Sequence, residues 1–150
     1  MFARVILASA PTNGAPPIYT VHCHYPRVIH SEVMTHRVFS RNARSSRAVP
    51  VSTMLDEVIN DPFVPWHWGK NQKGMQAQEE HNAPVRLPVA QTINGPLVSR
   101  EEAWLAARDR AVEMARAFME AGYHKQLVNR ILEPYSWIHT LITSTDWANF

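Results

Sequence analysis

The chain has 150 residues, 45% of them hydrophobic and 19% charged, a balance that argues against disorder and suffices for a single core. Its net charge of +2 is too small for a protein that coats nucleic acid, so a basic stretch matters as a local feature. The one cysteine, Cys23, excludes an internal disulfide and suits a reducing compartment. No apolar run approaches the ~18 residues of a membrane span, so the expectation is one cytoplasmic domain over residues 1–150.

Residues 2 to 8 (FARVILA) and 18 to 24 (IYTVHCH) read as strands, being rich in β-branched and aromatic side chains. The opening apolar run is too short and too weakly basic for a signal peptide. Between the strands, APTNGAPP is turn chemistry. Pro26 suits a first helical turn, and Ile29 and Val33, four apart, would form the buried stripe of a helix reaching about Arg37.

Residues 35 to 50, THRVFSRNARSSRAVP, carry four arginines (Arg37, Arg41, Arg44 and Arg47) and no carboxylate. An arginine fork matches phosphate oxygens bidentately, and hydroxyls or backbone N–H groups near a helix end add directional bonds to the same anion. As a helix the segment would place Arg37, Ser40, Arg44 and Arg47 on one face; as a loop after Arg37 it would let Ser45 to Arg47 wrap a phosphate. A solvated basic face is the third reading, and charge spacing does not choose among them.

VSTMLDEVIND is a second helix, capped by Ser52 or Thr53 and ended before Pro62. Residues 61 to 98, with five prolines, are the least regular part, and a helical excursion over residues 75 to 81 is expected there. SREE at residues 99 to 102 is a capping box. After it Trp104, Ala107, Ala111, Met114, Ala115 and Phe118 recur at helical steps, with Gly122 as the C-cap. A helix over residues 124 to 132 stops at Pro134, SWIHTLIT is a strand, and Thr145 with Asp146 starts a last helix.

THRVFSRNARSSR resembles the signature of flavin-dependent thymidylate synthases: Arg-His-Arg, two residues, Ser, one residue, Asn, two residues, Ser, one residue, Arg. His36, Arg37, Ser40, Asn42, Ser45 and Arg47 fall in register, and Thr35 stands where the signature has its first arginine. NRILEPYSWIHTLITSTDWANF, residues 129 to 150, is similar to a later segment of the family, and GKNQKGMQAQEE to a stretch of its phage and bacterial branch.

The resemblance implies an α+β fold, an antiparallel or mixed sheet with helices on it, assembled as a homotetramer. It implies methyl transfer from methylenetetrahydrofolate to dUMP, giving dTMP, with FAD carrying the hydride and NADPH as reductant. No catalytic residue is assigned, because the reactive chemistry belongs to the cofactor. His36, Arg37, Val38 and Asn149 would meet the flavin. Glu32, Arg44, Ser45, Ser46, Arg47 and Arg130 would meet the nucleotide. The family segment runs on past its Asn-Phe pair to a pyrimidine-binding arginine, whereas the sequence ends at Phe150, so a C-terminally incomplete domain is expected.

Rival readings are an impaired fragment that binds cofactor or nucleotide or assembles with a homologue, and an arginine-rich nucleic-acid-binding module. His22 and His24 share a strand face, with His30 and His36 near in sequence, but no recognised metal spacing accompanies them and no metal is assigned. Cys23 has no base marked to activate it and reads as a buried strand residue.

Overall fold

The computed structural model describes residues 1–90 and 92–148. Its centre is a four-stranded antiparallel sheet in the order β1-β2-β6-β3, formed by β1 (Phe2–Ser9), β2 (Ile18–Pro26), β3 (Ser40–Ala43) and β6 (Trp137–Ser144), while β4 (Val85–Arg86) and β5 (Leu97–Val98) pair separately. Strands β1 and β2 form where the sequence predicts them. So does β6, whose strict alternation buries Ile138, Thr140, Ile142 and Ser144. Pairing Cys23 with Thr140 and Tyr25 with Ile138 puts Cys23, Tyr25, Ile138 and Ile142 in one cluster with Phe39.

The helices are α1 (His30–Val33), α2 (Val51–Asn60), α3 (Arg100–Glu120) and α4 (Lys125–Leu132). The last three make a second cluster around Val58, Ala115, Val128 and Leu132, all fully buried. Helix α2 has the expected span, but its N-cap is Pro50 and no side chain caps it. At its other end the Arg108 guanidinium, from α3, donates to the carbonyls of Val58 and Ile59 at 2.9 and 3.0 Å. A neighbouring helix thus satisfies acceptors that the helix itself leaves open.

The capping box at Ser99 forms in full. Gly122, with φ +82°, takes the left-handed position one residue beyond the C-cap Ala121, as a helix stop requires. The buried face of α3 is narrower than the periodicity suggests: Val112 and Ala115 are buried, with Ala111 and Phe118 beside them, while Met114 is 51% exposed.

Three expectations fail. The helix after Pro26 shrinks to a 3₁₀ turn (Arg27–Ile29) followed by the single turn of α1, and Ile29 remains exposed. Residues 75 to 81 are not helical. Instead Glu80 gathers the excursion, accepting from the Trp68 N–H, from His67 and from Arg100. Residues 145 to 148 make a turn in which the Asp146 N–H donates to Ser144 Oγ and the Ala148 N–H to Asp146 Oδ1. Such short side chains offer the backbone an alternative to helix.

One side chain fastens the segment after β3 to the helices. Asn129, fully buried on α4, donates from Nδ2 to the carbonyls of Ser46 and Val49 at 2.8 and 2.9 Å. Replacing it strands both acceptors in a dry interior, at ~1–3 kcal/mol each where water cannot reach. Asn129→Ala is expected to lower unfolding stability by roughly 2–4 kcal/mol, read as a fall in the urea midpoint with unchanged slope. A change within error of zero would refute this account.

Candidate functional site

The arginine-rich segment is neither one helix nor one loop. Residues 37 and 38 turn, β3 runs along the sheet edge, and Ser46–Ala48 form a 3₁₀ turn. The edge pairing explains this: β3 finds ladder partners on β6, Ser40 opposite Thr143 and Ala43 opposite Thr140, which composition alone does not announce. The four arginines therefore diverge. Arg41 donates to the Val33 carbonyl at 3.0 Å, and Arg44 donates from Nη2 to both carboxylate oxygens of Glu57 at 2.7 Å. Among the described residues, neither Arg37 nor Arg47 has a carboxylate within ion-pair distance.

A cavity of about 430 Å³ opens where this segment meets α4 and the turn before α1. Its lining includes Arg27, Ser31, Arg44, Ser45, Ser46, Arg130 and Glu133. Four of the six residues assigned to the nucleotide (Arg44, Ser45, Ser46 and Arg130) are brought together here. Glu32 and Arg47 are exposed and do not line it.

The local reasons are visible. Ser45 caps the 3₁₀ turn, its Oγ accepting from the Arg47 N–H at 3.3 Å. Ser46 is 3% exposed, and its hydroxyl donates to Glu133 Oε1 at 2.6 Å. Arg130, in the last turn of α4, is 59% exposed and stands 3.7 Å from Glu133 Oε2.

Two charged lining residues, Arg27 and Glu133, were not assigned from sequence. Arg27 follows Pro26 and is fixed by its backbone N–H on the Ser136 carbonyl, 2.9 Å. Its Nη2 donates to the Arg44 carbonyl at 3.1 Å, and its Nη1 lies 3.6 Å from Glu133 Oε1. Its Nε is buried with no hydrogen-bond partner. Burial pulls its guanidinium below the usual arginine range, and Glu133 opposes that pull. A lone arginine after a strand carries no sequence signal of its own. Glu133, within NRILEP, reads as a helix-end carboxylate.

His36, Arg37 and Val38 lie apart from the cavity, on the turn entering β3. His36 stacks on Phe39 with ring centres 5.5 Å apart, while Arg37 and Val38 are exposed. Asn149 lies outside the described residues. On this turn the imidazole of His36 and the guanidinium of Arg37 are the groups that could meet a flavin, at an exposed rim. They line neither the 430 Å³ cavity nor the apolar pocket bounded by Phe2, Tyr25, Ile29 and Val33.

The fold is similar to that of a nucleotide methylase. The crystal structure of PolB, a UMP/dUMP methylase from Streptomyces cacaoi bound with 5-Br UMP, matches with a TM-score of 0.53 over 95% of this chain and 71% of PolB. The two share 13% sequence identity, so the likeness is one of fold. No family model matches the chain, and no curated protein does.

The opposite face of the sheet holds a different cluster. His22 Nε2 and His139 Nδ1 are 2.9 Å apart, and the rings of His24 and His139 stack at 4.4 Å between Phe2 and Trp137. Burial lowers the affinity of His24 and His139 for protons; His24 adds to the effect on His139, and His22 adds to it on both. His30, which hydrogen-bonds the Tyr25 hydroxyl at 2.8 Å, is lowered by burial and then by Arg27 and Arg41. Among the described residues no group of three His, Cys, Asp or Glu is arranged to hold a metal. Burial also raises the Cys23 thiol, leaving it protonated rather than nucleophilic.

These histidines bind protons less readily folded than unfolded. Stability is therefore full above the unfolded value of about 6.5 and declines as pH falls through it towards the lower folded values. Urea midpoints should be flat above that pH and drop below it, and His139→Gln should flatten the drop. An identical pH profile in the variant would remove the imidazole stack as its cause.

Proposed function

We propose that the chain binds a uridine or deoxyuridine 5′-monophosphate and takes part in methylating the pyrimidine at C5, giving dTMP from dUMP. The observation that carries this reading is the cavity where Arg27, Ser45, Ser46 and Arg130 converge, set in a fold similar to that of PolB. Methylenetetrahydrofolate is the proposed carbon donor, NADPH the reductant and FAD the hydride carrier. Homo-oligomerisation, which the sequence resemblance implies, would give the exposed apolar side chains of β1, Val5 and Leu7 among them, a partner surface.

C5 methylation forms a carbon–carbon bond at C5 and releases the C5 proton, and reducing a transferred methylene to methyl requires a hydride. When bound, a flavin supplies that hydride. His36, Arg37 and Val38 are the described residues of this chain that would hold it. The rest of the chain's task is positioning. Phosphate contacts remote from C5 fix the ring relative to its reactants, and such binding energy counts towards the rate when it orients rather than merely retains.

The nucleic-acid reading is disfavoured by a specific observation: Arg41 and Arg44 are committed to internal acceptors, so the segment does not present a continuous phosphate-binding track.

Calorimetry with dUMP tests binding, and tritium release from dUMP labelled at C5, with FAD, NADPH and methylenetetrahydrofolate present, tests turnover. Binding and release are both expected. Arg130→Ala should weaken dUMP at least tenfold, since a hydrogen bond to a charged group is worth roughly 1.5–3 kcal/mol. Binding without tritium release would leave a nucleotide-binding protein and withdraw the enzymatic claim.

A further inference from the structure

Glu133 lines the cavity, and its contacts are uneven. Its Oε1 accepts a short bond from Ser46 Oγ, 2.6 Å. The guanidinium groups on either side stand back, Arg27 at 3.6 Å and Arg130 at 3.7 Å. Those are ion-pair distances, beyond the ~3.2 Å at which an N–H···O bond is well made. Two cations thus face one carboxylate without hydrogen-bonding it. Arg27 is only 15% exposed, and its Nε is buried and unpartnered. A buried guanidinium with an unfilled donor is costly unless something fills it for part of the working cycle.

We propose that Arg27 is a ligand of the nucleotide phosphate and that Glu133 is the resident anion holding its place, so that binding exchanges a carboxylate for a phosphate between Arg27 and Arg130. The inference rests on the nucleotide reading above and adds to it the two residues that the sequence left unassigned. A phosphate dianion brings more charge and more acceptor oxygens than the carboxylate it replaces. It can therefore fill the Arg27 Nε–H, engage Arg130 and take over the Ser46 hydroxyl. Without nucleotide, Glu133 offsets two guanidiniums that would otherwise repel across the cavity. The same residue then competes with the ligand.

The two residues predict opposite effects, which a merely structural role would not. Calorimetry on the full chain with inorganic phosphate and with dUMP provides the test. Glu133→Gln keeps the shape and an acceptor for Ser46 but removes the competing charge, and should tighten both ligands by roughly tenfold. Arg27→Lys keeps a cation but loses the fork and Nε, and should weaken both by about 10–100-fold. If both substitutions weaken binding, or Arg27→Lys leaves phosphate affinity unchanged, the proposal is overturned. Should Arg27→Lys fail to fold, the direction of the Glu133→Gln change decides alone. Wild-type protein that binds phosphate but not dUMP, with these opposite shifts intact, would keep the anion site and remove the nucleotide reading. Wild-type protein that binds neither would remove both.

Discussion

The candidate site depends on the buried amide of Asn129. The segment between β3 and α2 has no regular structure long enough to hold itself: a 3₁₀ turn of three residues is its only element. What fixes it is a side chain from 80 residues later in the chain, donating to two of its carbonyls. Because Val128 and Leu132 beside it are fully buried, α4 cannot slide to relax these bonds. The position of Ser46, and of the turn that presents Ser45, is therefore inherited from helix packing rather than from local propensity.

Electrostatics then shapes what the fastened loop can do. Arginines that look alike in sequence are sorted by the nearest acceptor. Glu57 takes Arg44 through both carboxylate oxygens, and an α1 carbonyl takes Arg41. Only groups whose acceptors are distant or missing stay available to a ligand. That sorting moves the centre of the site away from the arginine cluster towards Arg27, Glu133 and Arg130, where donors exceed acceptors within bonding distance.

Elements with strong periodic or capping signals were legible in the sequence. Strands β1, β2 and β6, helices α2, α3 and α4, and the Ser99 capping box lie close to where pattern reasoning puts them. The antiparallel sheet agrees with the expected α+β class. Three of the misses share a cause, which is that partners distant in sequence decided them. Strand β3 exists because β6 offers it a ladder. Residues after Pro26 stop short of a helix where Arg27 is held by Ser136 and Arg44. The excursion over residues 61 to 98 is organised by Glu80, whose carboxylate holds backbone and side-chain donors together. Of the candidate site, the family resemblance singled out Arg44, Ser45, Ser46 and Arg130, which line one cavity. Arg27 and Glu133 were not singled out, because Arg27 lies in no motif, Glu133 was assigned no role within its segment, and their meeting spans more than a hundred positions.

The cavity also lies on the seam between the two apolar clusters. Ser46, Arg130 and Glu133 travel with the helical cluster through Asn129 and α4, whereas Ile138 belongs to the sheet cluster and Arg27 is tied to the strand side by the Ser136 carbonyl. The Arg27–Glu133 ion pair is accordingly a clasp across that seam, reinforced by the Trp137 indole N–H, from β6, on the Asp61 carbonyl at the end of α2. An anion that displaced Glu133 would have to bridge Arg27 and Arg130 itself, or the seam would lose a contact as the ligand gained one. A tetrahedral group with several acceptor oxygens can meet that requirement, and a lone carboxylate already fails to. The geometry that leaves Glu133 too far from both arginines is thus the same geometry that suits a larger anion.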